Sequence, residues 1–509
     1  MKWPKSDRGV LAAAAVGAAG ALAYVGYAAA QGFVGFPLDD GWIHQTYARN
    51  LVETGVWAYV PGEVSAGSTS PLWTLMLALG YALGVPFRIW TAAVGALSVA
   101  AVAVVAGWVA RRLTPWPPRA GVWGYVDAGW VAALACALEW HLLWAGASGM
   151  ETALFAALAL AVLGGAMALA REERPWAWLG WGLLGGAAFL TRPEGLLPLG
   201  LAGTCLLIVR RADWTRGPRA TALARYGLAA AGFLALAVPY LVFNWKASGT
   251  ILPNTFYAKQ AEYREVAEAL PWLVRAMRVA GVQFVGGMAL LAPGMLAAWR
   301  DIARRRDWMG FLPLAWWAAT VALYAARLPV TYQHGRYVMP VIPALLVYGA
   351  PGTALLVKAA HGRAGRILSR ALALAACAVL AAFVVMGARA YLADVRIIDS
   401  EMVDVARWLD ANTPPDAVIA VHDIGAVGYF TRRPLLDLAG LVSPEVVPFI
   451  RDEGRLYAYI RARGASYLVT FPSWYPQMTA RPDVVMVYQT DSPWTIQAGG
   501  DNMAVYRLR

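Results

Sequence analysis

The stretch GVLAAAAVGAAGALAYVGYAAAQGFVGFPLDD (Gly9–Asp40) decides the fold, because about thirty consecutive residues of it carry no charge. A helix of roughly 20 apolar residues is long enough to cross the hydrocarbon core of a bilayer. The stretch then ends on two adjacent carboxylates, Asp39 and Asp40. An ionised carboxylate at the bilayer centre costs about 2.5–3.5 kcal/mol, so both residues are predicted to lie at the membrane interface or in a wet cavity.

Composition extends this prediction to the rest of the chain. The 509 residues are 59% hydrophobic and only 15% charged, which is too apolar for one soluble core. Apolar stretches of about 15–22 residues recur from Gly9 to Arg389. We therefore predict a polytopic α-helical membrane protein with about eleven crossings and one juxtamembrane helix, followed by a C-terminal soluble α/β domain. The three cysteines all lie in apolar segments and indicate neither a disulfide nor a metal site.

Basic residues indicate the orientation in the membrane. They cluster at alternate gaps between the apolar stretches, which marks the cytoplasmic side. The net charge of +12 is thus mainly a topology signal, and nucleic acid is not an expected partner. The clusters are Lys2/Lys5/Arg8, Arg111/Arg112/Arg119, Arg171/Arg174, Arg210/Arg211/Arg216/Arg219, Arg300/Arg304/Arg305/Arg306 and Lys358/Arg363/Arg366/Arg370. The N-terminus is predicted to lie on the cytoplasmic side of the cell membrane. The site and the C-terminal domain are predicted to lie on the outer side.

One apolar segment, PLWTLMLALGYALGVPF (Pro71–Phe87), does not fit the alternation. A full crossing there would place Arg111 and Arg112 outside and invert every later cluster. We therefore predict a juxtamembrane or re-entrant helix for this segment.

The last 120 or so residues have dispersed charge and short β-branched stretches. We divide the chain into a membrane domain, residues 1–389, and an extracytoplasmic α/β domain, residues 390–509. SEMVDVARWLDAN predicts a helix capped by Ser400, and AVIAVHD, SYLVTF, DVVMVYQ and MAVYRLR predict strands. HDIGAVGYF predicts a strand end followed by a short helix, with Asp423 and Gly425 interpreted as a turn and a cap.

Unusual polar residues gather on the predicted outer side. Each alone is typical of a solvated loop, but together they predict a cavity with carboxylates for proton abstraction and cations for an anionic ligand. Besides Asp39 and Asp40, these segments are ASGMETALF with Glu151, LTRPEGLLP with Arg192 and Glu194, LPNTFYAKQ with Asn254, Tyr257 and Lys259, and TYQHGRYVMP with His334, Arg336 and Tyr337.

These motifs carry a family resemblance over about residues 30–345. DDGWIHQTYARNLVETGVWAYVPGEVSAGSTSPLW, SGMET, RPEG, PNTFYAK and HGRYVMP, in this order, resemble the GT-C class of integral-membrane glycosyltransferases. Within the class the sequence is most similar to the mycobacterial terminal arabinofuranosyltransferases and their bacterial relatives. The resemblance implies transfer of a sugar, with arabinofuranose as the candidate, from a polyprenyl-phosphate donor to a glycan or lipid acceptor. The transfer inverts the anomeric carbon and takes place at the outer membrane face.

The resemblance also implies residue roles. Asp39 or Asp40 is the general base, with Asp39 favoured. Glu151 matches a second acidic position, and His44 is grouped with it as a residue for the acceptor. The donor and its phosphate are expected to be bound by the cations and hydrogen-bond donors of the other motifs. These are Lys259, Arg336, Arg192, His334, Tyr257 and Asn254. No cofactor and no metal is implied by a phosphate-monoester donor. One departure is Thr46, which stands where relatives often carry Arg, with Arg49 and His44 nearby.

Two other classes of protein remain open from the sequence. A transporter or flippase of a lipid-linked or anionic substrate would also be polytopic, but it favours mid-membrane charges and internal repeats, which this chain lacks. A non-catalytic receptor or scaffold leaves the acidic pair unexplained. The acceptor and the linkage stay open.

Overall fold

A computed structural model describes residues 5–114, 127–215 and 219–509. Three of the predicted cytoplasmic basic residues, Lys2, Arg119 and Arg216, lie outside the described residues.

Helices make up the part of the chain that precedes residue 398. In order they are α1 (Lys5–Ala30), α2 (Asp40–Thr54), α3 (Pro71–Ala82), α4 (Phe87–Leu113), α5 (Ala128–Ala137), α6 (Trp140–Ala147), α7 (Thr152–Leu169), α8 (Pro175–Thr191), α9 (Leu196–Val209), α10 (Arg211–Thr215), α11 (Arg219–Ser248), α12 (Asn254–Glu262), α13 (Arg264–Ala269), α14 (Trp272–Gly281), α15 (Ala292–Arg304), α16 (Leu312–Arg327), the single turn α17 (Tyr332–Gly335), α18 (Ile342–Ala359) and α19 (Gly362–Ile398).

Seven helices of the described chain are long and apolar enough to cross a membrane, or up to nine if each of two bent pairs counts as one span. The bent pairs are α5 with α6, at 57°, and the segments on either side of residues 285–286, at 91°. Two shorter segments fall below that length, the 17-residue helix α8 and the apolar segment Pro193–Val209. The prediction of about eleven crossings is therefore reached only if these two short helices also span the bilayer.

Helix α3 agrees with the predicted juxtamembrane helix. It contains 12 residues, so it is about 18 Å long and too short for a hydrocarbon core of about 30 Å. Its first residues contact the predicted outer loops, since the indole of Trp73 donates to the carbonyl of Gly149 and Ser70 donates to the carbonyl of Thr191.

Small residues let the membrane helices approach closely. A side chain at Gly182 of α8 would overlap the backbone of Ala229 in α11, and one at Gly95 of α4 would overlap the backbone of Gly146 in α6. Such contacts are how transmembrane helices pack in the absence of a hydrophobic driving force between them. They fix the bundle that holds the outer loops in place.

The membrane part continues into the C-terminal part through one unbroken helical segment, Gly362–Asn412. Its elements are α19, a π-helical turn at Asp399–Val403, and α20 (Asp404–Asn412). The prediction that Ser400 caps a new helix was wrong, because the preceding helix does not end there and Ser400 donates to the carbonyl of Arg396. The division at residue 389 falls inside α19 and stays a proposal.

The C-terminal part is a five-stranded sheet with short helices. The further elements are β1 (Ile419–Val421), α21 (Ile424–Thr431), β2 (Leu435–Asp437), α22 (Glu453–Ala462), β3 (Tyr467–Thr470), α23 (Pro476–Thr479), β4 (Val484–Gln489), α24 (Pro493–Gln497) and β5 (Ala504–Leu508). The strand order is β2-β1-β3-β5-β4, with β1 parallel to both neighbours and β5 antiparallel to β3 and β4. All four predicted strands are confirmed. Strand β2 was not predicted, although it is as long as β1.

Candidate functional site

Helix α2 holds the acidic pair at the junction between the membrane bundle and the C-terminal part. Its residues 41–50 are all buried, although the helix is not especially apolar. The indole of Trp42 packs edge-on against Phe36 and Phe87 from the membrane part and at a tilt against Tyr429 and Phe430 of α21, with ring centroids 4.9–5.7 Å apart. This aromatic cluster fixes α2, and thus the carboxylates at its start, between the two parts.

Asp40 faces two cations. Its Oδ2 lies 2.5 Å from Nη1 of Arg336 and 4.0 Å from Nζ of Lys259. Burial by itself would raise the pKa of Asp40, but the positive charges of Arg336 and Lys259 outweigh it and hold the pKa well below the usual range of a carboxyl. Asp40 is therefore ionised at neutral pH.

Asp39 points to the C-terminal part instead. Its Oδ2 accepts from the backbone N–H of Gly425 at 2.6 Å and its Oδ1 from that of Ala426 at 2.8 Å. These amides are in the first turn of α21, where backbone N–H groups have no partner within the helix and the helix dipole favours a negative charge. A side chain at Gly425 would overlap the carbonyl of Asp39, so glycine is required for this contact. The Asp39 carboxylate thus bridges the two parts of the chain.

A third cluster contains the predicted second acidic residue. Glu151 lies 3.5 Å from Nε2 of His44 and 3.8 Å from Nε of Arg192, and all three residues are buried. Arg192 also donates to the hydroxyl of Tyr324 at 3.3 Å. The Glu151 oxygen nearer to His44 is Oε2, and it makes no hydrogen bond of ordinary geometry.

Two cavities meet at the acidic pair. One, which we call the bundle cavity, has a volume of about 150 Å³ and lies between outer loops and membrane helices, with Glu151, Arg192, Tyr324 and Arg327 in its wall. The other, the junction cavity, has a volume of about 750 Å³ and lies between the membrane part and the C-terminal part. Both cavities share five residues: Asp40, Ile43, Lys259, Arg336 and Leu441. Asp39 lines only the junction cavity.

Solved structures with the same architecture include three proteins that this chain matches at low identity. ArnT from Cupriavidus metallidurans bound to undecaprenyl phosphate is 17% identical, with a TM-score of 0.54 over 95% of this chain and 97% of ArnT. The Archaeoglobus fulgidus oligosaccharyltransferase in complex with Zn and sulfate is 15% identical, with a TM-score of 0.57 over 91% of this chain and 68% of its own. The arabinofuranosyltransferase AftD from Mycobacteria is 15% identical, with a TM-score of 0.51 over 98% of this chain but only 40% of its own. This chain has a GT-C fold.

The C-terminal part of this GT-C chain has a separate match. Residues 396–506 match a family described as a domain of unknown function, DUF8728. No curated protein matches the sequence. This match assigns no function to the C-terminal part.

Three residues predicted for the donor site do not line either cavity of the GT-C chain. The ring of His334 bonds to Oδ2 of Asp394 in α19 at 2.8 Å, because the backbone at His334 is in the left-handed region, with φ 60°, and turns the ring toward α19. Tyr257 is 38% exposed, and Asn254 is buried with its backbone N–H bonded to Ala66. The other predicted residues, Asp39, Asp40, His44, Glu151, Arg192, Lys259 and Arg336, are brought together.

Sequence reasoning missed the residues that the C-terminal part contributes. His422 and Asp423 line the junction cavity at the carboxyl end of β1, and Trp474 and Tyr475 follow β3. In the fold, β1 lies between two parallel strands, and ligands bind at the carboxyl ends of such strands. The sequence predicts strands but not their order, so it carried no signal for this position.

His422 ties the two walls of the junction cavity together. Its Nδ1 lies 2.8 Å from the hydroxyl of Tyr475, and its Nε2 lies 3.6 Å from Oε1 of Glu262 at the end of α12. Burial opposes the charged form, but the carboxylates of Glu262 and Asp423 raise the pKa of His422. Within the described residues no group of three or more His, Cys, Asp or Glu side chains is placed to hold a metal ion.

Proposed function

We propose that this protein is a membrane glycosyltransferase that moves a sugar from a polyprenyl-phosphate donor to an acceptor hydroxyl. The observation that carries the proposal is the wall shared by the two cavities, where Asp40 faces Lys259 and Arg336. A two-substrate transfer needs two binding spaces that meet at a base and at a site for the leaving charge. The shared wall supplies both groups.

Lys259 and Arg336 suit the phosphate of the donor. Arg offers a planar fork of donors to phosphate and Lys offers a point charge. The bundle cavity supplies two further cations, Arg192 and Arg327. ArnT was solved with undecaprenyl phosphate and an archaeal oligosaccharyltransferase with a dolichol-phosphate, and this precedent supports a lipid phosphate as the leaving group here.

Asp40 is our candidate for the base. Asp39 was favoured from the sequence, but both of its oxygens are engaged by the backbone of α21. Asp40 borders both cavities and pairs only with cations that a donor phosphate would share. In the transfer, Asp40 takes the proton of the acceptor hydroxyl and the acceptor oxygen bonds to the anomeric carbon. The bond from that carbon to the phosphate oxygen breaks, and the polyprenyl phosphate leaves with inversion.

The finer assignments also belong to the proposal. Arabinofuranose is the donor sugar that the sequence resemblance favours, and the fold shared with AftD is compatible with it. His44, Glu151 and Arg192 line the bundle cavity and supply polar partners for the hydroxyls of the donor sugar. The enzyme would act in cell-envelope assembly, on the outer face of the cell membrane.

Transfer from a membrane extract that contains polyprenyl-phosphate sugars tests the proposal. Protein in lipid nanodiscs should release free polyprenyl phosphate and label an acceptor, and Asp40→Asn should lower the rate by about 10²–10⁴-fold, the usual contribution of a positioned base. Asp301→Asn is the matched control, because Asp301 pairs with Arg305 on an exposed helix face outside both cavities. Full transfer by Asp40→Asn would refute the role of Asp40. Movement of an intact lipid-linked sugar across proteoliposomes without transfer would favour the flippase.

The outward orientation has its own test. Single cysteines at Tyr263 and Ala480 should react with a membrane-impermeant thiol reagent applied to intact cells, whereas cysteines at Arg112 and Arg305 should react only after lysis. Labelling at Arg305 in intact cells would overturn the orientation.

A further inference from the structure

The junction cavity has chemistry that the proposed transfer does not yet use. Its wall on the C-terminal side consists of the segments after β1 and β3, with His422, Asp423 and Trp474, and Glu262 faces them from the membrane part. Its volume of about 750 Å³ lies within the range of ordinary ligand sites. The cavity opens next to Asp40, where an acceptor hydroxyl has to arrive.

Trp474 is the most unusual residue of this wall. Its side chain is 45% exposed, whereas the nearby aromatic residues of the same segment, Phe471 and Tyr475, are buried. The ring of His422 packs edge-on against it, with centroids 4.9 Å apart and planes at 74°, and thereby holds the indole in place. A fixed aromatic face with a negative quadrupole suits the weakly positive C–H face of a sugar ring.

The polar groups around Trp474 are those that hydroxyl groups need. Glu262 and Asp423 supply carboxylate acceptors, and the His422 ring and Tyr475 hydroxyl supply donors or acceptors beside them. Arg451, which also lines the cavity, holds Glu262 in place, since its Nε donates to the backbone carbonyl of Glu262 at 3.0 Å. Partners for hydroxyls are therefore already in place around one stacking surface.

Away from Asp40, carboxyl groups outnumber basic groups in the cavity wall. Asp40 with Lys259 and Arg336 leaves one net positive charge. The rest of the wall carries the carboxyl groups of Asp39, Glu262, Asp423, Glu453 and Asp501 against Arg451 and His422. Burial raises the pKa of Asp39 to about 8 and also raises that of Asp423, so the negative charge comes mainly from Glu262, Glu453 and Asp501. A phosphorylated or carboxylated acceptor would meet repulsion there.

We propose that the junction cavity binds an uncharged saccharide, with Trp474 as its stacking surface and Glu262 and Asp423 as hydroxyl acceptors. The inference rests on the proposed function for its role: the bound saccharide is the acceptor end of a glycan, and its hydroxyl is directed toward Asp40. The C-terminal part is thus the element that determines which acceptor the enzyme accepts.

The test measures binding without any donor. Full-length protein in nanodiscs is titrated with uncharged arabino-, galacto- and manno-oligosaccharides, with heparin fragments as the anionic counterpart, and binding is followed by saturation-transfer NMR. At least one uncharged oligosaccharide should bind. Trp474→Ala should weaken its binding about tenfold or more, and Trp474→Phe, which keeps an aromatic face, should weaken it less. Trp176→Ala is the matched control, because Trp176 is an exposed tryptophan at the start of α8, outside both cavities.

The outcomes distinguish failure of the saccharide site from failure of the proposed transfer. Binding of heparin fragments alone, binding of no saccharide, or equal binding by wild type and Trp474→Ala would overturn the saccharide site and leave the Asp40 test unaffected. Saccharide binding that depends on Trp474 supports the site even if no donor is ever used, and in that case the glycosyltransferase proposal alone would fail. A raised KM for the acceptor with unchanged kcat in Trp474→Phe would support both.

Discussion

Replacing Asp39 by Ala should loosen the first turn of α21 without touching any residue of the C-terminal part. The Asp39 carboxylate accepts from the N–H groups of Gly425 and Ala426 at 2.6 and 2.8 Å, and these amides have no partner within their own helix. Burial and the neighbouring Asp423 raise the pKa of Asp39 to about 8, so the comparison is made above that pH, where the carboxylate is ionised. A hydrogen bond to a charged group contributes about 1.5–3 kcal/mol. At 1.36 kcal/mol for each factor of ten, exchange of each amide should become about 10- to 150-fold faster.

Hydrogen–deuterium exchange resolved to these two amides is the assay, with protein in nanodiscs at constant pH. Asp40→Ala is a stringent control, since it removes the neighbouring carboxylate but no bond to α21. Amides of β5 report whether the fold as a whole has been lost. Unchanged exchange at Gly425 and Ala426 in Asp39→Ala, or equal acceleration in Asp40→Ala, would refute the bridging role of Asp39.

Two more predictions concern the same junction. Lys259→Met should move the acid limb of the activity–pH profile to higher pH. Burial raises the pKa of Asp40, and the positive charge of Lys259 helps to lower it. Loss of that charge therefore raises the pKa of the base. Exposed Lys246→Met should leave the profile unchanged, and an unmoved limb in Lys259→Met would argue against Asp40 as the base. Gly425→Ala should cost about 1–3 kcal/mol of stability or more in thermal unfolding, because its methyl group would overlap the carbonyl of Asp39. Gly454→Ala, at an exposed position of α22, should be tolerated, and equal effects of the two substitutions would contradict the close contact.

The membrane fold and part of the site follow from local sequence. The apolar stretch before Asp39 sets the end of the first helix, and the positive-inside pattern places Lys259 and Arg336 on the same side as the acidic pair. Their grouping around Asp40 was therefore predictable, because only one face of the membrane was available to them.

What could not be predicted depends on contacts between distant parts of the chain. Asp39 and Asp40 are equivalent in sequence, and they differ in the structure only because α21, almost 400 residues later, takes both oxygens of Asp39. The interpretation of Gly425 as a cap position was close, but its partner was not visible. His334 lies outside the predicted site for a local reason, because its backbone is in the left-handed region. The flanking residues do not predict this conformation.

Because the helix from Gly362 to Asn412 is unbroken, the position of the C-terminal part relative to Asp40 depends on the number of residues in this helix. Each inserted or deleted residue shifts everything beyond it by about 1.5 Å and rotates it by about 100° around the helix axis. A single insertion between Tyr391 and Asp399 would thus swing His422 and Trp474 away from Asp40, whereas seven residues would nearly restore their direction. The π-helical turn at Asp399–Val403 is where this helix already holds an additional residue. Natural selection on this segment should accordingly act on its length more strictly than on its amino-acid composition.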